Sequence, residues 1–265
     1  MEKIIKWAGS KANVFDQFRP YLDFNRQYIE PFCGSAAFFF AGSPQSALMN
    51  DSNEKLINFY QQLQAQPDLV WSMYNSIPIN EAQYYTTRDE FNKSVDDLES
   101  ASKFLYLNHY SFNGIYRTNR SGNFNTPFGA KKKIKKKVTL SKVREASEQI
   151  QGVKFSSLDF EDFLNSVHPN GSTIYMDPPY HTTDARVFKE YGANVFSASD
   201  LERLAHSAKL LSKTNLVVIS YRNCSDFIEL FEEFIVGTVS VTRNVGGFAG
   251  RRKNEEECLA VLGGA

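Results

Sequence analysis

Apolar residues along this chain gather into seven short runs, with turn signals recurring among them. They are QYIEPFCG (27–34), SALMND (46–51), GVKFSS (152–157), STIYMDPP (172–179), TNLVVISY (214–221), EFIVGTVSV (233–241) and ECLAVLG (257–263). Runs of this length, rich in β-branched and aromatic residues, read as buried strands. Helical patterns separate several of them. The clearest spans 199–213, where Leu201, Leu204, Ala205, Ala208 and Leu211 recur at helical spacing, and Ser199 with Glu202 predicts a capping box. Strands alternating with helices predict an α/β sheet with crossover connections.

The stretch 56–145 breaks that rhythm. KLINFYQQLQAQ and LESASKFLYLNHY read as helices, and FNGIYRTNRSGNFNTPFG (112–129) reads as a β-hairpin turning at Ser121-Gly122. The pattern predicts a helical subdomain over 56–145, inserted into a sheet domain formed by 1–55 and 146–265.

Composition narrows the classes. With 42% apolar residues among 265, the chain can build a real core. No apolar run approaches the roughly 20 residues a membrane span needs, and MEKIIKWAGSK lacks a secretory pattern. Cys33, Cys224 and Cys258 show no C-x-x-C spacing, and the four histidines are scattered. These features argue against disulfides, a metal site or a nucleophilic triad, and for a cytoplasmic setting.

Charge alters the picture more. The chain is formally neutral, yet residues 100–144 carry 11 Lys and Arg and no acid. Taking these from the 30 basic residues leaves 19 against 30 acidic ones elsewhere. Such segregation points to an anionic partner for the basic segment, foremost nucleic acid.

Three strand ends carry candidate chemistry. After the first, Gly34 with Ser35 and Ala36 forms a small-residue turn that allows close approach to the backbone, but it is not a G-x-G-x-x-G dinucleotide loop. Asp51 follows the second; it could hold both hydroxyls of a ribose or begin the next helix as a cap. After STIYM comes Asp177-Pro178-Pro179-Tyr180. Prolines offer carbonyls without N–H donors. With the Asp177 carboxylate and the flat face of Tyr180, they suit a planar group bearing an exocyclic amine. In the hairpin, Asn113, Tyr116, Arg117, Asn119, Arg120 and Asn125 are of the types that touch base edges and phosphates. Lys131, Lys132 and Lys133, within KKKIKKK (131–137), would add sequence-independent phosphate attraction.

KWAGSK, IEPFCGSAAF, LMND, FNGIYRTNRSGNFNTPFG, SSLDF and YMDPPY, in this order from residue 6 to 180, closely resemble the Dam-type DNA adenine-N6 methyltransferases. Weaker similarity continues through 188–200, 216–221 and 241–247. The resemblance implies a Rossmann-like methyltransferase sheet with helices on both faces and an inserted target-recognition subdomain. It also implies S-adenosylmethionine as cofactor and double-stranded DNA as partner, with no membrane, no obligate protein partner and a monomeric state. It assigns Trp7, Lys11, Phe32, Gly34, Asp51, Asp159, Phe160 and Asp177 to the cofactor, Lys11 meeting its carboxylate and Asp51 its ribose. Asp177, Pro178 and Tyr180 would form the catalytic pocket for a flipped adenine within GATC or another GAT-containing site.

Asn113, Ile115, Arg117 and Pro127 match DNA-contacting positions, with Arg117 as the base reader; Asn119, Arg120 and the lysines join them. Asp177 leans away from the Ser usual in cytosine-N4 enzymes and the Asn usual in glutamine methyltransferases. Intact Trp7, Lys11, Asp51 and Asp177 lean away from a non-catalytic DNA-binding descendant. The single glycine of the 34–36 turn and the heavy basic run depart from the family pattern. GGFAGRRK (246–253) has no clear counterpart.

Overall fold

The computed structural model describes residues 3–129, 136–181, 196–244 and 252–264. All seven apolar runs are strands of one sheet. They are β1 (Tyr28–Glu30), β2 (Ala47–Asn50), β3 (Lys154–Ser156), β4 (Thr173–Met176), β5 (Leu216–Arg222), β6 (Ile235–Asn244) and β7 (Arg252–Leu262). Their order is β3-β2-β1-β4-β5-β7-β6. The first five are parallel, and β7 runs antiparallel between β5 and β6.

The chain leaves β1 towards one edge and restarts from β4 towards the other. The β1–β4 junction is therefore a topological switch point, where loops after both strands open a crevice at their carboxyl ends. The Gly34 turn follows β1 and Asp177 follows β4, so the order of strands brings these two segments together.

Alternation along the strands sends side chains to two cores. Ile174 and Met176 of β4, with Val217 and Ile219 of β5, face one apolar cluster. Tyr175 and Val218 face the other. Helices α1 (Phe15–Phe18) and α2 (Ala37–Gly42) contribute to the second cluster. On that side the Phe38 ring stacks on Tyr175 at 4.4 Å between centroids. Helices α8 (Phe160–Val167), α9 (Ala198–Leu211) and α10 (Ser225–Phe231) cover the first. The sheet is thus sheathed on both faces, as in a Rossmann-like methyltransferase.

The capping box of α9 lies two residues before its expected place. Ser197, not Ser199, is the N-cap, and Asp200 returns the hydrogen bond to the Ser197 amide. Serine and aspartate at three-residue spacing satisfy the N-cap and third-residue amides, here those of 197 and 200, as the pair expected at 199 and 202 would have done for its own.

Helices α3 (Glu54–Ala65), α4 (Pro67–Ser76), α5 (Glu81–Phe91), α6 (Leu98–Tyr110) and α7 (Leu140–Gln149) fill the stretch between β2 and β3. They share a core with the sheet. Leu56, Phe59, Tyr106 and Val143 belong to the same cluster as Tyr28, Met49 and Tyr175. The hairpin is less regular than expected, with two isolated bridges, Ser111↔Phe128 and Thr118↔Phe124, in place of a ladder. Side chains hold it instead. Asn92 bonds both the N–H and the C=O of Phe124, and the Tyr84 hydroxyl donates to Thr126 O at 2.9 Å.

Candidate active site

The three carboxylates at the ends of β1, β2 and β4 have different fates. Glu30, on β1, is buried, and burial pushes its carboxyl well above the usual carboxylate range despite a 3.1 Å hydrogen bond from the Tyr28 hydroxyl. Asp51 Oδ2 accepts the Gly34 amide at 3.0 Å and its Oδ1 the Asn53 amide at 3.0 Å. The cap of α3 is Asn53, whose side chain accepts from Leu56 N. Asp51 therefore ties the β1 turn to the helix entrance rather than capping the helix itself.

Burial raises Asp51 to about 6, against the pull of those two amides. The folded state then holds a proton that the unfolded chain releases near pH 4. The Asp51 contribution to stability should fall as pH rises from about 4 to about 6, by up to about 2–3 kcal/mol, beside a fall of the same sign from Glu30. Asp51→Asn is expected to make the slope shallower in that range by the Asp51 share, as measured by denaturant unfolding.

The 34–36 turn is built by backbone geometry. Gly34 has φ +44°, and a Cβ there would lie 2.6 Å from Trp7 Cδ1. The close approach that the glycine permits is thus made by the chain's own indole. Trp7 in turn stacks on Tyr116 at 5.3 Å, so one ring face is covered from within. Gly34→Ala should cost about 1–3 kcal/mol through backbone strain and overpacking, read as a lower melting temperature. Ala36 also has a left-handed φ of 51°, a backbone conformation that strains a residue with a Cβ. Next to the turn, the rings of Phe32 and Phe160 lie 5.3 Å apart. Asp159 caps α8 and pairs with Arg203 at 2.6 Å, while the Arg203 guanidinium covers the Phe160 ring at 4.8 Å.

Lys11 occupies the centre of the crevice. Only 3% exposed, its ammonium contacts Asp177 Oδ1, donates to Ser220 Oγ at 2.8 Å and lies 2.9 Å from Glu257 Oε2. Expected to meet a carboxylate of the cofactor, it here meets two of the protein's own. Ser220 also bonds the Tyr175 hydroxyl at 3.0 Å. The Tyr180 hydroxyl donates to Glu257 Oε1 at 2.5 Å, and the ring lies 5.9 Å from the Lys11 ammonium. Asp177, Tyr180, Lys11, Ser220 and Glu257 thus form one polar cluster under the Asp-Pro-Pro-Tyr turn. Glu257 and Glu30 were not singled out from sequence. Glu30 carried a readable signal, an acid at a strand end like Asp51 and Asp177.

The hairpin residues lie apart from this cluster in the chain. Asn113, Arg120 and Pro127 are exposed, whereas Ile115, Arg117 and Asn119 are half-buried. Asn125 Oδ1 accepts Arg117 Nε at 2.9 Å and fixes the guanidinium. Asn119 Oδ1 is committed to the turn, accepting the Ser121 and Asn123 amides. Lys131, Lys132 and Lys133 lie outside the described residues, as do 246–251 of GGFAGRRK. Lys137 departs from a solvated charge run, since its ammonium donates to Asn75 O and Ile77 O at the C-terminal end of α4.

A parallel-led sheet with its Asp-Pro-Pro-Tyr turn at the switch point and a basic insert after β2 defines a class of nucleic-acid-modifying methyltransferase. The chain belongs to the D12 class N6 adenine-specific DNA methyltransferases, whose family model matches residues 7–245. It is similar to the retron Ec67 DNA adenine methylase of Escherichia coli, with 32% identity covering 99% of this chain and 92% of the relative. It is also similar to the type II methyltransferase M1.LlaDCHI of Lactococcus lactis subsp. cremoris, at 30% identity over 96% and 93% of the two chains. Identity to the DNA adenine methylase of Escherichia coli strain K12 is 30%, over 97% and 94%. The protein is an adenine-specific DNA methyltransferase, and no helix among its described residues is long and apolar enough to cross a membrane.

Proposed function

We propose that this enzyme transfers a methyl group from S-adenosylmethionine to N6 of an adenine extruded from duplex DNA, within GATC or another GAT-containing site. One observation carries the reading: Asp177 and Tyr180 are fixed together at the end of β4 by a shared buried cluster. When bound, S-adenosylmethionine supplies an electrophilic methyl on a sulfonium. The residues present fit it by their chemistry. Asp51 retains lone pairs beyond the two spent on amides, which a ribose diol can use. Phe32 and Phe160 offer apolar walls for the adenine ring, beside Asp159. Gly34 and Trp7 shape the turn, and Lys11 supplies positive charge at the crevice.

The adenine amine is a weak nucleophile because its lone pair is delocalised into the ring. Extruding the base costs a few kcal/mol of lost stacking and pairing. Tyr180 stacks on the extruded base. Asp177 and the Pro178 carbonyl accept its two N–H groups, which favours a pyramidal nitrogen with its lone pair aimed at the methyl. Orientation supplies most of the acceleration. The new N6–methyl bond would form as the donor's methyl–sulfur bond breaks, leaving a neutral thioether, and one N6 proton then passes to solvent water.

In this reading 56–145 is the target-recognition region and the remainder, 1–55 and 146–265, binds the cofactor. Asn113, Ile115, Arg120 and Pro127 lie along the DNA, Asn119 shapes the hairpin tip that faces it, and Lys131, Lys132 and Lys133 attract phosphates. Arg117, steadied by Asn125, reads a guanine edge. Arg117→Ala should relax preference at one base pair by about 1–3 kcal/mol, measured by methylation rates on singly altered sites. Uniformly weaker binding with unchanged preference would make it a phosphate contact.

The test of function is base-resolved sequencing of DNA from a host that lacks adenine methylation and expresses this protein. N6-methyladenine confined to GAT-containing sites is expected. Methylated cytosine, or adenine methylated without sequence preference, would overturn the assignment.

A further inference from the structure

We infer that Glu257 is a positioning residue for methyl transfer, acting through Tyr180 and Lys11; this rests on the proposed role of the Asp-Pro-Pro-Tyr turn. Glu257 lies on β7 opposite Arg222 of β5 and is 0% exposed. A carboxylate so placed is costly to bury unless each oxygen has a partner. Both do: Oε1 accepts the Tyr180 hydroxyl at 2.5 Å, and Oε2 faces the Lys11 ammonium at 2.9 Å.

The two partners serve different parts of the pocket. The Tyr180 hydroxyl is the far end of the ring proposed to stack on the base. Anchoring that end restrains ring rotation and tilt, while an edge-on contact with Tyr221, at 5.1 Å and 82°, limits it from the side. Lys11 is the cation against Asp177, and its ammonium is also held by Glu257 and Ser220. Glu257 touches neither the proposed amine nor the methyl donor in this arrangement. It fixes the stacking ring and the cation at the acceptor carboxylate with one rigid strand, so both are set before the base arrives.

Single-turnover methyl transfer to unmethylated plasmid DNA, with saturating S-adenosylmethionine, tests this. Glu257→Gln keeps the shape but cannot satisfy a phenol and an ammonium equally. It should lower the rate about 10-fold, and Glu257→Ala about 100-fold, with DNA affinity changed less than about twofold. In a Tyr180→Phe background, itself slower than wild type, the loss from Glu257→Gln should shrink to about threefold, because that arm of the link is already gone. Equal losses in both backgrounds, tracking a fall in melting temperature, would make Glu257 a packing residue only. If Glu257→Gln fails to fold, Tyr180→Phe alone decides, since transfer at the wild-type rate would show that the link to Glu257 does nothing. Asp177→Ala run in parallel separates the two kinds of failure. Full activity there removes the pocket reading itself, whereas an inactive Asp177→Ala beside unaffected Glu257 variants removes only the role of Glu257.

Discussion

Asp177→Ala is expected to lower single-turnover methyl transfer roughly 1,000-fold or more while the protein still folds and binds S-adenosylmethionine. Loss of a single preorganised electrostatic partner of a transition state costs about 100- to 1,000-fold in other active sites. Here the missing carboxylate is one of only two acceptors proposed for the amine, and the Pro178 carbonyl cannot replace it. The fold should persist because Lys11 keeps Glu257 and Ser220 as partners after the truncation. Asp177→Asn makes a sharper probe. Its amide oxygen still accepts one hydrogen bond, but its NH2 group can turn towards Lys11 or the base only by opposing another donor. An intermediate rate is expected, and activity at the wild-type level in either variant would remove Asp177 from the chemistry.

The second large effect belongs to Lys11. Lys11→Ala leaves Asp177 and Glu257 facing each other without the ammonium between them, and Glu257 is wholly buried. Breaking a buried ion pair from one side typically costs about 3–5 kcal/mol, because the remaining charge stays desolvated. For a chain of this size that corresponds to a melting temperature lower by about 6–20 °C. The rate should fall as well, since the carboxylate proposed to accept the amine loses its counter-charge. A combined Lys11→Met and Glu257→Gln variant should recover part of the lost stability, because two opposite charges leave together. Stability within about 1 kcal/mol of wild type in Lys11→Ala would show that the cluster is well hydrated.

Much of this architecture could be read from the chain. Four of the seven apolar runs ended in a Gly, Pro or Asp signal, and all seven became strands, because packing between two helical layers demands continuous apolar segments. The place of Asp177 just after β4 was legible because the two prolines that follow it end the strand. Glu257 was not. It ends the run Glu255-Glu256-Glu257, which reads as a solvated edge, and its burial arises only because β7 inserts antiparallel between β5 and β6.

The hairpin was legible as a turn but not as a ladder, since Asn92 and Tyr84 replace cross-strand pairing with bonds from the helical region. The basic run was read by composition, which could not separate Lys137 from its neighbours. Its bonds to the Asn75 and Ile77 carbonyls depend on where the end of α4 lies in the fold. Asp51 showed a similar limit: both readings of its sequence context placed it correctly at a strand end, yet the cap fell to Asn53, two residues on.

The pocket at Asp177 is proposed to methylate an adenine amine. The most direct measurement incubates the enzyme with unmethylated duplex DNA and S-adenosylmethionine labelled in its methyl group, digests the DNA to nucleosides and locates the label. All of it is expected in N6-methyldeoxyadenosine, with none when Asp177→Ala replaces the wild type. Label in N4-methyldeoxycytidine, or an unchanged yield from the Asp177→Ala enzyme, would contradict the account.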